Sequence, residues 1–270
     1  MTTFEDTYRT NMMIELDPDR IHLWFTFFDE IRNDDLLNRY RNLLPEEEQH
    51  WEQRIHSATN RHRYLITRAL VRTVLSRYAP VAPEQWSFSK NVYGKPYISN
   101  SDALASRISF NVSHTKGLIV LGVTCGGAIG VDTENVRDRH RALDSASAFF
   151  SSEETDALEM LPPHTRQERL FQYWTLKESY IKARGMGLAI PLNQFSFHFL
   201  ELDRLRLAIH MPLKDNPSRW HFWQLRPSEK HLTAVCAERC GNNCKQLVSK
   251  QIVPLGAEQS LNCVPILESE

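Results

Sequence analysis

The chain has 270 residues, 41% hydrophobic and 24% charged, a balance that excludes disorder of the whole chain. Its 32 Lys and Arg against 33 Asp and Glu give a formal net charge of −1, without the basic excess typical of nucleic-acid binders. No apolar run approaches the roughly 18 residues that a membrane-spanning helix needs, and no basic segment leads into an apolar one near the N-terminus. We therefore expect a cytoplasmic protein that binds neither nucleic acid nor a membrane.

The first half of the chain shows strand patterns around one long helical pattern. Residues 21–28 form a short apolar run that predicts a strand. Pro45 and the three glutamates after it are typical of a helix start, because acidic side chains favour the positive end of a helix. Apolar residues then recur at helical spacing as far as Tyr78. Further strands are predicted at 86–88, 97–98, 108–113 and 118–123.

The second half has a similar plan after a break at Gly126 and Gly127. A strand is predicted over 128–134, a serine-capped helix near Ser151, a longer helix over about 166–184, and strands at 195–199, 205–209, 220–223 and 232–236. The sequence thus predicts an α+β fold of two similar halves. We expect an N-terminal extension at 1–20, an N-terminal half at 21–126, a C-terminal half at 127–240 and a loose tail at 241–270.

Two carboxylates stand close together in the motif GVDTE at 130–134. Side chains alternate between the faces of a strand, so Asp132 and Glu134 point the same way. Neighbouring carboxylates repel, and a hard cation such as Mg²⁺ relieves this because it takes oxygen ligands. The motif therefore indicates a metal site, and the alternative is a strand end with two solvated acids.

A second motif, WTLKESYIK at 174–182, lies on the predicted long helix. Residues four apart are neighbours on a helix, so Trp174, Glu178 and Lys182 share one face. A carboxylate and an ammonium beside an indole suit a site that handles phosphate. The alternative is a surface Glu–Lys pair, which is common and contributes only a few tenths of a kcal/mol.

Two further motifs indicate ligand binding. In FNVSH at 110–114, Ser113 and His114 end a strand, but adjacent residues point to opposite faces and no Gly-x-Ser-x-Gly elbow is present. Binding is therefore a better prediction than a Ser–His hydrolase, with a histidine at the edge of the core as the alternative. Lys95, in the turn YGKP at 93–96, is either an exposed lysine or a point charge for a phosphate.

Taken together and in this order, these segments resemble the 4′-phosphopantetheinyl transferases of the surfactin-synthetase-activating type. The resemblance covers about residues 21–238 and is specific because several short motifs occur in the right order. The matching segments are 88–89 with 93–96, 110–114, 130–134, 149–151 with the acids that follow, 174–182, and 187–192.

The resemblance implies a pseudo-dimer of two α+β halves, each with a small, mostly antiparallel sheet packed on a long helix, and an active site in the cleft between them. It implies transfer of the 4′-phosphopantetheine group of coenzyme A to a serine of an apo acyl or peptidyl carrier protein, releasing adenosine 3′,5′-bisphosphate. The implied ligands of Mg²⁺, with Mn²⁺ as an alternative, are Asp132, Glu134 and Glu178.

The resemblance also implies roles toward coenzyme A and toward the reacting phosphate. Lys182 would contact that phosphate, and Glu178, or Glu154 acting through water, would take the serine proton. A stretch that often carries lysines for the 3′-phosphate in the family offers only His50 and Arg54 here. The residues expected to bind coenzyme A are Arg63, Lys95, Ser113, His114 and Asp132.

The basic run after the metal motif is the expected docking site for the carrier protein. Carrier proteins of this class are commonly acidic, so cations at the rim and an apolar anchor would suit them. The docking residues would be Arg137, Arg139, Arg141 and Leu143, and the alternative is a solvated loop. We expect a monomer. The rival functions are a Mg²⁺-dependent phosphodiesterase or nuclease, and a module that binds carrier proteins without catalysis.

Overall fold

The computed structural model describes residues 13–138, 149–239 and 245–270, which form an α+β fold with two large sheets. The helices are α1 Asp34–Asn42, α2 Glu46–Arg54, α3 Ala58–Leu75, α4 Ser152–Glu159 and α5 Pro163–Arg184. The strands are β1 Arg20–Thr26, β2 Phe88–Lys90, β3 Pro96–Ile98, β4 Ile108–Thr115, β5 Leu118–Cys125, β6 Ile129–Asn135, β7 Phe195–Phe199, β8 Arg204–Ile209, β9 Trp220–Ser228, β10 His231–Glu238, β11 Gln246–Ile252, β12 Glu258–Ser260 and β13 Pro265–Ser269. None of the helices in these ranges is long and apolar enough to cross a membrane.

The first sheet has the strand order β12-β11-β1-β5-β4. Its pairs are antiparallel except for β1 with β11, which run parallel. Strands β1 and β5 alternate between two cores: Trp24 packs with the apolar face of α3, whereas Leu23 and Phe25 face the second sheet. This alternation explains why the central strands read as continuous apolar runs, since both faces are buried.

The second sheet has the order β6-β10-β9-β13-β8-β7 and is also mostly antiparallel. Helix α5 packs against β6 and β10 on the face away from the first sheet. The inner faces of the two sheets meet in a third apolar cluster, to which Ile129 and Val131 of β6 contribute. The layers are therefore α3, first sheet, second sheet and α5, with a small β2–β3 hairpin at one side.

The helices of the first half of the chain differ from the expectation in two ways. The long helical pattern from Pro45 to Tyr78 is two helices, α2 and α3, because the chain breaks after Arg54 and Ser57 caps the second helix by accepting from the backbone N–H of Asn60. Helix α1 precedes them and was not predicted. Its N-cap is Asn33, whose side chain accepts from Leu36 N at 2.9 Å.

The expectation of a loose tail after residue 240 is wrong for the described residues 245–270. Strand β11 extends the first sheet beside β1, and β13 inserts between β9 and β8 of the second sheet. These strands are only partly buried, so their apolar pattern is weak. They are fixed instead by backbone pairing with strands distant in sequence, and the tail spans both sheets.

Gly130 sets the position of α5 on β6. A Cβ atom at this position would lie 2.0 Å from the carbonyl oxygen of Ser179 and 2.3 Å from the backbone nitrogen of Ala183. Only glycine permits so close an approach of helix and strand backbones. The turn of α5 that carries Lys182 therefore lies directly against the strand that carries Asp132.

Candidate active site

Asp132, Ser113 and Lys182 form a compact polar cluster where β4 of the first sheet meets β6 of the second sheet and α5. The Lys182 ammonium donates to Asp132 Oδ1 at 2.6 Å and to Ser113 Oγ at 3.0 Å, and the Ser113 hydroxyl donates to Asp132 Oδ1 at 3.0 Å. Asp132 and Ser113 are 4% exposed, so the charges interact in surroundings less polar than water. The structure thus brings together residues from β4, β6 and α5 that the sequence analysis assigned to separate motifs.

One oxygen of the Asp132 carboxylate has no hydrogen-bond partner among the described residues. This atom, Oδ2, is fully buried. A buried carboxylate oxygen without a donor is costly, and a cation is the partner that most directly satisfies it. No three His, Cys, Asp or Glu side chains within residues 13–138, 149–239 and 245–270 form a preassembled metal site. These observations support Asp132 as a metal ligand. The complete set of Asp132, Glu134 and Glu178 stays a prediction.

The three residues of α5 that the sequence predicts on one face are all partly exposed. Leu176, Lys177, Ser179 and Tyr180 are buried, whereas Trp174, Glu178 and Lys182 are partly exposed. Of the two β6 carboxylates, Asp132 is buried and Glu134 is partly exposed. The Trp174 ring packs edge-on against Phe149, with 5.6 Å between centroids. The three-residue face of α5 is therefore accessible beside the Lys182–Asp132 pair.

His114 and Arg63 extend this cluster into a positively charged region. His114 belongs to the exposed residues of β4 by its solvent-accessible area. Desolvation first, and then the positive charges of Arg63 and Lys182, nevertheless lower the pKa of His114 to about 4, so the imidazole is neutral near neutral pH. Burial also lowers the pKa of Arg63. Among the described residues, no hydrogen bond or ion pair engages the Arg63 guanidinium. A cation desolvated without an anionic partner suits a negatively charged ligand.

Lys95 has a different setting from the one expected. Its ammonium donates to the carbonyl oxygens of Ile129 at 2.9 Å and Ala183 at 3.2 Å, and burial lowers the pKa of Lys95 to about 8. It thus ties the turn after β2 to the start of β6 and the end of α5. Gly185, at φ +66°, lets α5 end against the Lys95 side chain. These contacts within the protein are enough to explain where the Lys95 side chain lies, and its contact with coenzyme A stays a prediction.

The expectation that Glu154 takes the serine proton through water needs correction, because the environment of Glu154 does not suit a catalytic base. It is 1% exposed and forms a 2.7 Å ion pair with Lys177, which is 0% exposed. Its two oxygens also accept from the backbone N–H groups of Phe197 and Ser151, at 2.9 and 3.0 Å. The carboxylate is therefore enclosed between α4, α5 and β7, where it anchors α4 against β7.

Lys177 is a structural residue of the motif at 174–182 that sequence reasoning missed. Its ammonium also donates to the carbonyl oxygens of Leu192 and Phe195, at 2.7 and 2.6 Å. The sequence signal for this buried role was a lysine that stands between apolar neighbours on the buried face of the helix.

Among the expected docking residues, Arg137 is exposed and pairs with Glu229 at 3.4 Å. The others, Arg139, Arg141 and Leu143, lie outside the described residues.

Comparisons with known proteins identify the family. The family model described as the 4′-phosphopantetheinyl transferase superfamily matches residues 128–236, and that of the 4′-phosphopantetheinyl transferase N-terminal region matches residues 33–125.

The 4′-phosphopantetheinyl transferase Sfp of Bacillus subtilis (strain 168) is 31% identical over 200 residues, covering 74% of this chain and 84% of the relative. Another 4′-phosphopantetheinyl transferase of Bacillus subtilis is 32% identical over 185 residues, covering 68% and 78%. The 4′-phosphopantetheinyl transferase HetI of a Nostoc species is 29% identical over 227 residues, covering 83% and 90%. The chain therefore belongs to the Sfp-type 4′-phosphopantetheinyl transferases, enzymes that activate carrier proteins with a group from coenzyme A.

Proposed function

We propose that transfer takes place at the cluster of Asp132, Ser113 and Lys182, in a cleft between two halves that form a pseudo-dimer. The observation that carries this proposal is the buried Asp132 carboxylate, which one cation holds through Oδ1 while Oδ2 has no partner among the described residues. The halves contribute unequally: Ser113 comes from the first sheet, and Asp132 and Lys182 come from the second sheet and its helix.

Asp132, Glu134 and Glu178 would hold Mg²⁺, or Mn²⁺ in its place. Their oxygen donors suit a hard cation that binds through one or two carboxylates together with substrate phosphates. When bound, the ion would neutralise charge on the pyrophosphate of coenzyme A. Partial exposure of Glu134 and Glu178 leaves both side chains room to adjust toward such an ion.

The positively charged region would bind the phosphates of coenzyme A. Arg63 offers a desolvated guanidinium, and His114 offers a neutral imidazole that can donate a hydrogen bond. Burial is the main cause of the low pKa of His114, and the positive charges of Arg63 and Lys182 add to it. An arriving phosphate would offset those positive charges, so binding should raise the pKa of His114. Ser113 holds Lys182 and Asp132 in place. The contacts of the 3′-phosphate, for which the sequence offers His50 and Arg54, belong to the same proposal.

The chemical step is a phosphoryl-centred displacement. The carrier's serine oxygen forms a bond to the phosphate that carries pantetheine, the bond to the neighbouring phosphate breaks, and adenosine 3′,5′-bisphosphate leaves. Lys182 would stabilise the negative charge that develops on the phosphate oxygens. Glu178 would accept the serine proton, since Glu154 is enclosed by Lys177 and two backbone donors.

The carrier protein would dock beside this cleft on the basic run that starts at Arg137 and continues through Arg139, Arg141 and Leu143. Arg137 is exposed on the segment that follows β6 directly, which supports a rim position. An acidic carrier would be steered by these cations. We also propose that the enzyme acts as a monomer, because the cluster already combines residues from both halves of one chain.

The metal assignment is tested by weighing the carrier after incubation with coenzyme A and Mg²⁺. Asp132→Ala and Glu178→Ala should each abolish the gain of the phosphopantetheine mass while the protein remains folded at the assay temperature, which far-UV circular dichroism checks. Asp156→Ala, which removes an exposed carboxylate on α4, is the matched control and should react like the parent protein. Full turnover in EDTA, or near-normal activity of either variant, would show that these carboxylates hold no essential metal.

A further inference from the structure

The edges of the two sheets are joined by three side-chain hydrogen bonds. On β4, alternate residues Asn111, Ser113 and Thr115 accept from the backbone N–H groups of residues 131, 133 and 135 of β6, at 2.8, 3.3 and 3.1 Å. Each pair is 20 residues apart in sequence, so the two strands run side by side in one fixed register. We call these three bonds the edge ladder.

The edge ladder satisfies N–H groups of β6 that have no backbone partner among the described residues. Within the same residues, β4 and β6 are the outermost strands of their sheets, and β6 pairs with a strand on one side only. Its alternate N–H groups therefore point away from β10, toward the first sheet. A buried N–H group must find an acceptor, and the side-chain oxygens of β4 supply it. Side chains thus perform the function that a further strand would perform in a continuous sheet.

The two rungs nearest the active site lie on either side of Asp132. Val131 N–H is held by Asn111, which is 5% exposed, and Thr133 N–H is held by Ser113. The Ser113 hydroxyl is fully used, since it donates its proton to Asp132 Oδ1 and accepts from Thr133 N and Lys182 Nζ. The backbone around Asp132 is therefore fixed on both sides, and its buried Oδ2 keeps one orientation.

We propose that Asn111 is a positioning residue for the transfer reaction: its amide oxygen holds β6 so that Asp132 presents its free carboxylate oxygen to the metal site. This proposal rests on the assignment of Asp132 to the metal made above. The ladder bond of Asn111 is to the backbone N–H of Val131 and not to Asp132. Asn111 therefore acts on Asp132 through the backbone. Its contribution should therefore appear in metal affinity and kcat more than in the KM for the carrier.

The main variant is Asn111→Leu, which keeps the approximate volume and removes the acceptor. It should lower kcat and weaken Mn²⁺ binding in the presence of coenzyme A about 10- to 100-fold, the range typical of groups that orient metal ligands. Electron paramagnetic resonance of free Mn²⁺ gives the affinity without any turnover. Asn111→Asp retains an acceptor for Val131 N–H and should recover most of both quantities. If Asn111→Leu does not fold, Asn111→Val gives the same comparison.

Thr233→Val is the matched control for loss of stability. It removes the buried hydroxyl contact between Thr233 and Thr133, at 2.9 Å, on β10 and β6 but outside the edge ladder. It should lower the midpoint of urea unfolding while kcat and Mn²⁺ affinity stay near the parent values. If Asn111→Leu loses stability but retains the Mn²⁺ affinity and kcat of Thr233→Val, Asn111 has no positioning role. Asp132→Ala distinguishes failure of the positioning role of Asn111 from failure of the metal assignment. If the Asp132→Ala protein still binds Mn²⁺ like the parent protein, the assignment of Asp132 to the metal is wrong.

Discussion

Glu154→Gln distinguishes a structural carboxylate from a catalytic base. The substitution keeps the shape of the side chain and removes its charge, which leaves the ammonium of Lys177 buried without its anion. Breaking a buried ion pair by removing one partner typically costs about 3–5 kcal/mol. We therefore expect the variant to lose about that much free energy of unfolding near pH 7 and to keep the parent kcat at temperatures where it is folded.

The pKa of Lys177 sets the pH dependence of this loss. Burial lowers the pKa of Lys177 from 10.5 to about 8 even with Glu154 beside it. That shift corresponds to about 3 kcal/mol of burial cost, which is present below the folded pKa and is relieved as the pH rises toward the unfolded value. Without Glu154 the folded pKa falls further, so the variant can release the proton. The difference in stability from the parent should therefore be smaller near pH 9 than near pH 7.

Urea unfolding at both pH values and single-turnover kinetics form the assay. The double change Glu154→Leu with Lys177→Met should be less destabilising than either single change, because it removes both buried charges together. A Glu154→Gln protein of unchanged stability that fails to transfer phosphopantetheine would refute this reasoning. Glu154 would then be catalytic despite its burial and its two backbone donors.

Three further predictions concern other residues. Lys95→Met should lower the free energy of unfolding through loss of two charged hydrogen bonds, each of which typically contributes about 1.5–3 kcal/mol, and urea unfolding would measure the loss. Calorimetric titration with coenzyme A would reveal any weaker binding. Arg139→Glu combined with Arg141→Glu should raise the KM for the carrier at low salt and leave the KM for coenzyme A unchanged; constancy of both across a salt series would place docking elsewhere. Burial is the main cause that lowers the pKa of His22 to about 4. The free energy of unfolding should therefore fall by up to about 3 kcal/mol as the pH drops from about 6.5 toward 4. In urea unfolding, His22→Asn should show a smaller decrease of this free energy over the same pH range.

Local patterns in the sequence predict the elements that carry the cluster. The strand expected at 128–134 is β6, Ile129–Asn135, and the helix expected at about 166–184 is α5, Pro163–Arg184. Both follow from short-range signals: period-two alternation and a glycine stop at Gly185, which caps α5 in the left-handed conformation. The same local logic predicts that Trp174, Glu178 and Lys182 share one face of α5, and all three side chains are partly exposed in the structure.

Features that depend on distant partners could not be predicted in this way. Strands β11 and β13 are specified by pairing with β1 and β9, and their own sequences carry little apolar pattern. The pair of Glu154 with Lys177 joins two motifs that both look functional, and only tertiary packing shows that the two side chains satisfy each other. Lys95 is similar, because a lysine in a glycine–proline turn gives no sign of carbonyl acceptors on β6 and α5.

The position of the cluster explains why one chain needs both family regions. Asp132 and Lys182 come from the region matched at 128–236, whereas the hydroxyl that holds them, Ser113, and the cation Arg63 come from the region matched at 33–125. The second sheet alone would leave the outward N–H groups of β6 without the acceptors that β4 supplies. The first region therefore does more than bind nucleotide in our proposal: it completes the edge of the strand on which the metal carboxylate stands.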